Sequence, residues 1–415
     1  MIRWSLASPW RTWRLALCAL VLCACLGAPG RVRADGASGE HVVVKLQPGV
    51  DADAFASAQS SSVLRSVEGT SVYSLAVPSG SSTADFLRQL GDYAEVSYAE
   101  CDLDVSHPEM RGAPIHLPFE VSIDPGNYLC LPAINLVDGV LGPTTNLSPI
   151  IVAVLDTGLD TDHKVVRGRT VPGYNALQPF SSPEDVADGL SNNAVGHGTM
   201  VAGLILALAP NARVMPVRVL NGDGVGSVLD LVEGIRFAVS HGARVINLSL
   251  GTTQRCSALR EAVKDAQEAG VMIVAAAGND GVDHLLYPAA MEEVLAVGSV
   301  DQNLKKSAYS NYGHGLAVLA PGTDVRSTYL ADSYATWSGT SFATPLVAAE
   351  AALLFGLRPN AEEEAVRQVI VKTARSLDRT NPNYRGKLGR GLIDVQRALR
   401  MLDDDDSEGG GGDDH

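Results

Sequence analysis

From residue 149 onward the chain alternates between short apolar runs and stretches of helical period, and this rhythm constrains the fold more than any other feature. The runs at 150–156, 213–220, 244–250, 271–277 and 294–300 are rich in Val, Ile, Leu and Ala with almost no polar alternation. A strand apolar on both faces belongs to a sheet covered on both sides. Between the runs, 198–208, 228–241 and 257–269 carry apolar residues at helix spacing, and 341–355 and 361–376 are predicted as further helices. The βαβαβ order predicts an α/β fold built on a doubly wound parallel sheet.

Upstream, residues 41–104 form a smaller unit. A strand starting at His41 stops at Pro48-Gly49, helical spacing marks 54–61 and 83–90, and strands are predicted at 71–77 and 95–100. This is a small α+β domain. Residues 105–126, rich in Pro and Gly, are predicted as an exposed linker to a large domain over 127–402. The last thirteen residues, 403–415, hold seven acids and no Lys or Arg, and are predicted to be a disordered acidic tail. Its four-Asp run lacks the spaced ligands of a calcium loop.

At the other end, Arg3, Arg11 and Arg14 precede an apolar run at 15–26 that is short for a membrane span. Residues 1–34 are expected to be a signal peptide cut after Ala34, which makes the product secreted, extracellular or periplasmic. Leu22-Cys23-Ala24-Cys25 offers a lipid anchor through Cys25 as the alternative. The remaining cysteines, Cys101, Cys130 and Cys256, have no Cys-x-x-Cys spacing, so neither a zinc site nor a disulfide framework is expected. A Cys130 to Cys256 bridge stays open beside the reading of Cys256 as a buried thiol. The net charge of -15 and the lack of a basic cluster exclude a nucleic-acid partner.

Four polar residues interrupt this apolar pattern at places where chemistry collects. Asp156 closes the first apolar run in Val-Leu-Asp156-Thr-Gly, at the carboxyl end of a predicted parallel strand. His197 lies in Gly-His197-Gly-Thr at a helix start, and an imidazole can take and return a proton near neutral pH. Ser341 lies in Gly-Thr-Ser341-Phe-Ala-Thr-Pro, also at a helix start, where unsatisfied N–H groups and the dipole favour an anion. Asn279, in Ala-Ala-Gly-Asn279, follows another strand and carries an amide able to donate to a developing oxyanion. Taken one at a time, each has an ordinary explanation as a turn or capping residue.

Taken together and in this order, the segments Asp-Thr-Gly, His-Gly-Thr, Ala-Ala-Gly-Asn and Gly-Thr-Ser-x-Ala-x-Pro resemble the subtilisin-like serine peptidases, the subtilase family. The resemblance covers residues 127–401. It implies a secreted serine endopeptidase with Asp156, His197 and Ser341 as catalytic triad, Asn279 as oxyanion donor, and peptide-bond hydrolysis through an acyl-enzyme. It also implies that Gly224, Val225 and Gly226 form one substrate-binding strand and Ser249, Leu250 and Gly251 the facing one. Ala275, Ala276 and Ala277 would wall the main specificity pocket, with Leu286 near its base and a preference for apolar residues of modest size.

By the same resemblance, residues 41–104 are similar to the family's propeptide, an intramolecular inhibitor, and self-cleavage is expected within 103–127 of a zymogen. The expected partners are polypeptide substrates and the chain's own propeptide, with a monomer as the assembly. No cofactor is required for the chemistry and no metal ligand is assigned. Structural calcium remains open, although the tight site many relatives hold after the catalytic His is expected to be absent because Leu206 to Pro210 has no polar insertion. Three rivals remain: a catalytically silent binding relative, an esterase of the α/β-hydrolase fold, and the acid-active relative with Glu in place of His. The Gly-x-Ser-x-Ala setting and the order Asp, His, Ser oppose the esterase, and His197 opposes the last.

Overall fold

The computed structural model describes residues 41–109, 115–117, 132–134 and 147–409. The expected signal segment, with Cys25, and Cys130 lie outside the described residues, as do 410–415.

The small domain begins with strand β1 (His41–Leu46), followed by helix α1 (Ala52–Ala58), β2 (Val63–Ser66), β3 (Val72–Ala76), α2 (Thr83–Gly91) and β4 (Val96–Cys101). Asp51 and Ser82 cap the two helices by accepting from Ala54 N and Asp85 N. The sheet has order β2-β3-β1-β4, with β1 antiparallel to both neighbours. Its two faces serve different cores because side chains alternate along a strand. Val42, Val44 and Leu46 pack with Phe55, Phe86 and Leu90 under the two helices. Val43, Val67 and Val72 point the other way and join the core of the large domain.

In its described residues, 105–109 and 115–117, the chain after β4 is not the exposed linker that the prolines suggested. It continues as β5 (Asp104–Ser106), paired with the large domain, and as β6 (Ile115–Leu117). The Pro-rich composition signals a chain without its own hydrogen-bonded partners, and here the large domain supplies them.

The large domain is a seven-stranded sheet of order β14-β13-β12-β11-β7-β9-β8. Its strands are β7 (Ile151–Asp156), β8 (Tyr174–Asn175), β9 (Arg213–Arg218), β11 (Val245–Leu248), β12 (Met272–Ala276), β13 (Leu295–Val300) and β14 (Val318–Pro321), and every adjacent pair is parallel. Helices α3 (His197–Leu208) and α6 (Thr340–Leu357) cover one face, and α4 (Val228–Ser240) and α5 (Ser257–Glu268) the other. The apolar runs are therefore buried on both sides, as their composition required. Beyond the sheet, β10 (Val225–Ser227) pairs with β5, and β16 (Ser333–Trp337) pairs with both β15 (Val325–Tyr329) and β6 in a separate three-stranded sheet. Helix α6 is long and apolar enough to cross a membrane, but it is almost wholly buried as the central core helix.

Two helices close the domain, α7 (Glu363–Thr373) and α8 (Val395–Gly409). The chain does not lose structure after Leu402: α8 continues to Gly409. Val395, Ala398 and Leu402 are buried at i, i+3 and i+7 and seed the helix against the core, and extending a helix costs far less than nucleating one. Helix α3 runs unbroken to Leu208 and turns directly into β9, without an inserted loop.

The small domain supplies carboxylates to the N-termini of two large-domain helices, α5 and α4, of which α4 already has the Ser227–Asp230 capping box. Helix α5 begins at Cys256 with no side-chain cap of its own. Glu100 accepts from Ser257 N and Ala258 N, both at 2.9 Å, and Asp102 accepts from Leu229 N at the start of α4 at 3.1 Å. A carboxylate at a helix N-terminus satisfies orphan N–H groups and complements the dipole. Lys45 pairs with Glu261, and Arg65 pairs with both Asp230 and Glu233. Cys256 is buried and holds no disulfide; its thiol donates to Glu100 Oε1.

Candidate active site

Parallel strands deliver their last residues to one edge of the sheet, and Asp156 and Asn279 arrive there from β7 and from the turn after β12. His197 and Ser341 meet them from the first turns of α3 and α6, which cross the same edge. All four of the sequence-predicted residues converge.

Asp156 is fully buried, and its Oδ1 accepts from His197 Nδ1 at 2.7 Å and from Thr157 N at 2.7 Å. The approach needs glycine at 198. A Cβ there would lie 2.2 Å from Gly158 O and 3.1 Å from Asp156 Cβ. Asp185, which the sequence did not single out, holds the start of α3 by accepting from Gly196 N at 2.9 Å and from Thr199 Oγ1 at 3.0 Å. Burial pushes its carboxyl up to about 6.

Ser341 N and Asn279 Nδ2 point into one hole. Asn279 is oriented by Thr340, whose N and Oγ1 donate to Asn279 Oδ1 at 2.9 and 2.8 Å, leaving the amide N–H groups free to face the cleft. The hole is filled by the carboxylate of Glu109. Its Oε1 accepts from Asn279 Nδ2 at 2.8 Å and from Ser341 N at 3.3 Å, while Oε2 accepts from Ser341 Oγ at 2.8 Å. Ser341 Oγ also lies 3.2 Å from Ser249 O. Ser341 Oγ thus donates to Glu109, and His197 Nε2 stands 3.5 Å from the same carboxylate with no hydrogen-bond partner among the described residues.

These charges set the protonation of the site. Burial by itself lowers the His197 pKa, but the Asp156 and Glu109 carboxylates outweigh it and push the imidazole up to about 10. Glu109 is raised by burial, and the two histidines, His107 and His197, reverse this and hold it well below the usual carboxylate range. With the small domain in place these carboxylates favour His197 as an imidazolium, the form that cannot accept a proton.

The segment carrying Glu109 lies in the cleft as an added strand. Val225 pairs with Ser106 and Gly226 with Val105. His107 N extends this pairing by donating to Gly224 O at 3.2 Å, and on the opposite side Ser106 and Gly251 exchange N–H···O bonds of 3.0 and 2.9 Å. Both expected peptide-binding strands are therefore in use. Leu250 is buried behind Gly251, and Ser249 Oγ donates to Ser341 O at 2.8 Å. Leu286 lines a cleft of about 770 Å³ with Gly251, Thr252, Asn279, Asp280, Asp324 and Trp337. Ala275, Ala276 and Ala277 do not line it: all three are buried, the first two within β12, which is covered on both faces, and the third directly after it.

A buried Ser, His and Asp gathered with an amide-lined hole at one edge of a doubly wound parallel sheet define the site of a serine hydrolase. Residues 148–391 match the family model described as the subtilase family, Peptidase S8. Subtilisin BL of Lederbergia lenta is 39% identical over 265 residues, spanning 61% of this chain and 91% of that protein. An alkaline protease of Alkalihalobacillus alcalophilus is 40% identical over 265 residues, and the match spans 61% of this chain and 65% of that protein, slightly under two thirds of its length. Among solved structures, that of fervidolysin from Fervidobacterium pennivorans, a keratinolytic enzyme related to subtilisin, superposes with a TM-score of 0.72 at 23% identity, covering 89% of this chain and 62% of that one. The chain belongs to the subtilase family, the subtilisin-like serine endopeptidases.

Glu109, His107 and Asp185 are the functional residues the sequence did not reveal. The first two sit in Ser106-His107-Pro108-Glu109, where Pro108 suggested a linker. Asp185 is one acid in a polar loop. Nothing in the first pattern announces the partner of Glu109 232 residues away, and nothing in the polar loop marks Asp185 as the acceptor for Gly196 and Thr199.

Proposed function

We propose that this chain is a secreted zymogen of a serine endopeptidase that acts through the triad Asp156, His197 and Ser341 and matures by cutting itself. The observation that carries the reading is the Glu109 carboxylate held by Asn279 Nδ2 and Ser341 N, because a carboxylate there stands in for the oxyanion of a tetrahedral intermediate. Once Glu109 withdraws, Ser341 Oγ is free to donate to His197 Nε2. The imidazole takes the proton as Ser341 attacks the peptide carbonyl. Asp156 holds the Nδ1–H and stabilises the imidazolium, and Asn279 Nδ2 with Ser341 N binds the oxyanion. The imidazolium then protonates the leaving amine, and water repeats the sequence on the acyl-enzyme.

Polypeptide substrates would bind as β5 does, by strand addition between 224–226 and 249–251. Leu286 near the base of the cleft supports a preference for apolar residues of modest size. The small domain, docked through Arg65, Glu100 and Asp102 and ending in the cleft, acts as the intramolecular inhibitor, and the cut falls within 103–127. The mature enzyme is a monomer, and its chemistry uses no cofactor. Casein hydrolysis by the wild type and its loss in Ser341→Ala test the triad. Mass spectrometry of the N-terminus tests the maturation: the same mature N-terminus in wild type and Ser341→Ala would overturn self-cleavage.

A further inference from the structure

The prosegment brings a second imidazole beside the catalytic one, with a carboxylate between them. His107 Nδ1 lies 3.4 Å and His197 Nε2 3.5 Å from the same atom, Glu109 Oε2. All three side chains are buried, and their ligand-type atoms lie within 4.8 Å of one another. Hydrogen bonds between an imidazolium and a carboxylate favour about 2.7–2.9 Å, so both separations are long for direct ion pairs. These two separations match the edge of a coordination tetrahedron, while the two histidine nitrogens, within 4.8 Å of each other, would draw together as the ion binds. With bonds of about 2.0–2.1 Å to N and O ligands, neighbouring ligand atoms stand about 3.3 Å apart.

Two further observations point the same way. His197 Nε2 is completely buried and aimed into this cluster, yet it has no hydrogen-bond partner among the described residues. In addition, the Asp156 and Glu109 carboxylates flank His197 at 2.7 and 3.5 Å, which makes the cluster a favourable place for a divalent cation. The large domain leaves room for the two prosegment side chains. A Cβ on Gly224 would lie 1.7 Å from His107 Cδ2, and one on Gly339 would lie 1.8 Å from Glu109 Oε1.

We infer that the uncleaved chain binds a zinc-class divalent cation through His107 Nδ1, Glu109 Oε2 and His197 Nε2, a clamp that ties the prosegment to the catalytic base. Two imidazoles and one carboxylate form a donor set suited to Zn²⁺, with the fourth position left to water. The ion displaces the proton from His197, since only neutral imidazole coordinates. The clamp exists only before maturation. Removing the segment 104–109 takes away two of the three ligands and leaves one histidine, so the ion would delay activation without poisoning the mature enzyme. That consequence rests on the reading of His197 as the base and of the small domain as inhibitor, whereas the binding itself rests on geometry alone.

The test is a Zn²⁺ titration of the full-length Ser341→Ala chain, stripped of metal with a chelator and kept uncleaved by the substitution. One Zn²⁺ per chain is expected, with affinity falling at least about 100-fold in the background of His107→Gln and likewise of Glu109→Gln, since even outer partners of metal ligands are worth about 10–100-fold. Co²⁺ added to the same chain should give the intense visible bands of a tetrahedral ion, a readout that needs no ligand variant and so survives misfolding of one. Absence of Zn²⁺ binding, affinity in both variants unchanged from the parent chain, or the weak bands of a six-coordinate surface ion would overturn the clamp and leave a proton-only network of His107, Glu109 and His197. Each result is independent of casein hydrolysis and N-terminal mapping, so failure of the clamp is distinguishable from failure of the proposed function.

Discussion

Helix α6 carries Ser341 in its first turn, and nine residues further on it buries Glu350 completely. Neither carboxylate oxygen of Glu350 has a hydrogen-bond partner among the described residues. Burial, reinforced by the negative charge of Asp394, raises its pKa well above the ordinary glutamate value. The folded protein therefore keeps this group protonated at a pH where the unfolded chain has released the proton. Stability from this group is complete below about pH 4.5 and falls as pH rises toward the folded pKa, by about 1.4 kcal/mol for each pH unit in that window. Glu350→Gln keeps the size and removes the titration. Urea unfolding of the Ser341→Ala chain, with and without Glu350→Gln, is the assay, the first substitution preventing self-digestion. The stability difference should be within about 1 kcal/mol near pH 5 and should grow in favour of Gln by about 1.4 kcal/mol per unit toward neutral pH. Glu350→Leu, which removes an unpartnered polar group, should be stabilising at pH 8 by about 1–3 kcal/mol. A difference independent of pH, or a Gln variant less stable than its parent at pH 8, would refute the argument and require a buried partner for the carboxylate.

Three further outcomes follow from the site and the domain contact. Asn279→Ala should lower kcat for a peptide substrate by about 100–1000-fold with little change in KM, the effect measured in subtilisin itself for loss of one oxyanion donor; a change confined to KM would remove Asn279 from the transition state. Gly198→Ala drives a methyl group to within 2.2 Å of Gly158 O, so it should separate Asp156 from His197 and reduce kcat/KM by at least about 100-fold, while a crystal structure shows the 2.7 Å hydrogen bond lost. Arg65→Ala leaves the buried Asp230 without one ionic partner, and it should destabilise the uncleaved chain by about 3–5 kcal/mol in urea while leaving the purified mature enzyme's kcat/KM unchanged.

Much of this was legible in the chain because the strongest signals are local. Apolar runs that recur between helical stretches define a parallel sheet whatever lies beyond them, and Asp156, His197, Ser341 and Asn279 stand where strands end or helices begin. The observed helices differ from the sequence-based spans by a few residues at their ends, α4 ending at Ser240 rather than 241 and α7 spanning 363–373 rather than 361–376. Short edge elements such as β2, β8 and β14 were missed because they are too brief for periodicity to separate strand from loop.

The sequence by itself determined the α/β class, the order of the strands along the chain and the four residues that meet at the sheet's edge, since each follows from patterning within a few residues. Only the tertiary structure decided what occupies that edge. Ser106-His107-Pro108-Glu109 has no partner within its own stretch, so composition assigns it to a linker. Its backbone bonds go instead to Gly224 and Gly251, more than a hundred residues away, and its Glu109 carboxylate reaches Ser341 across 232 positions. The same holds for Ala275 to Ala277, whose side chains could have faced either core or cleft until the covering helices placed them inside. A contact between distant segments leaves no period in the sequence, and the state of this active site is made of such contacts.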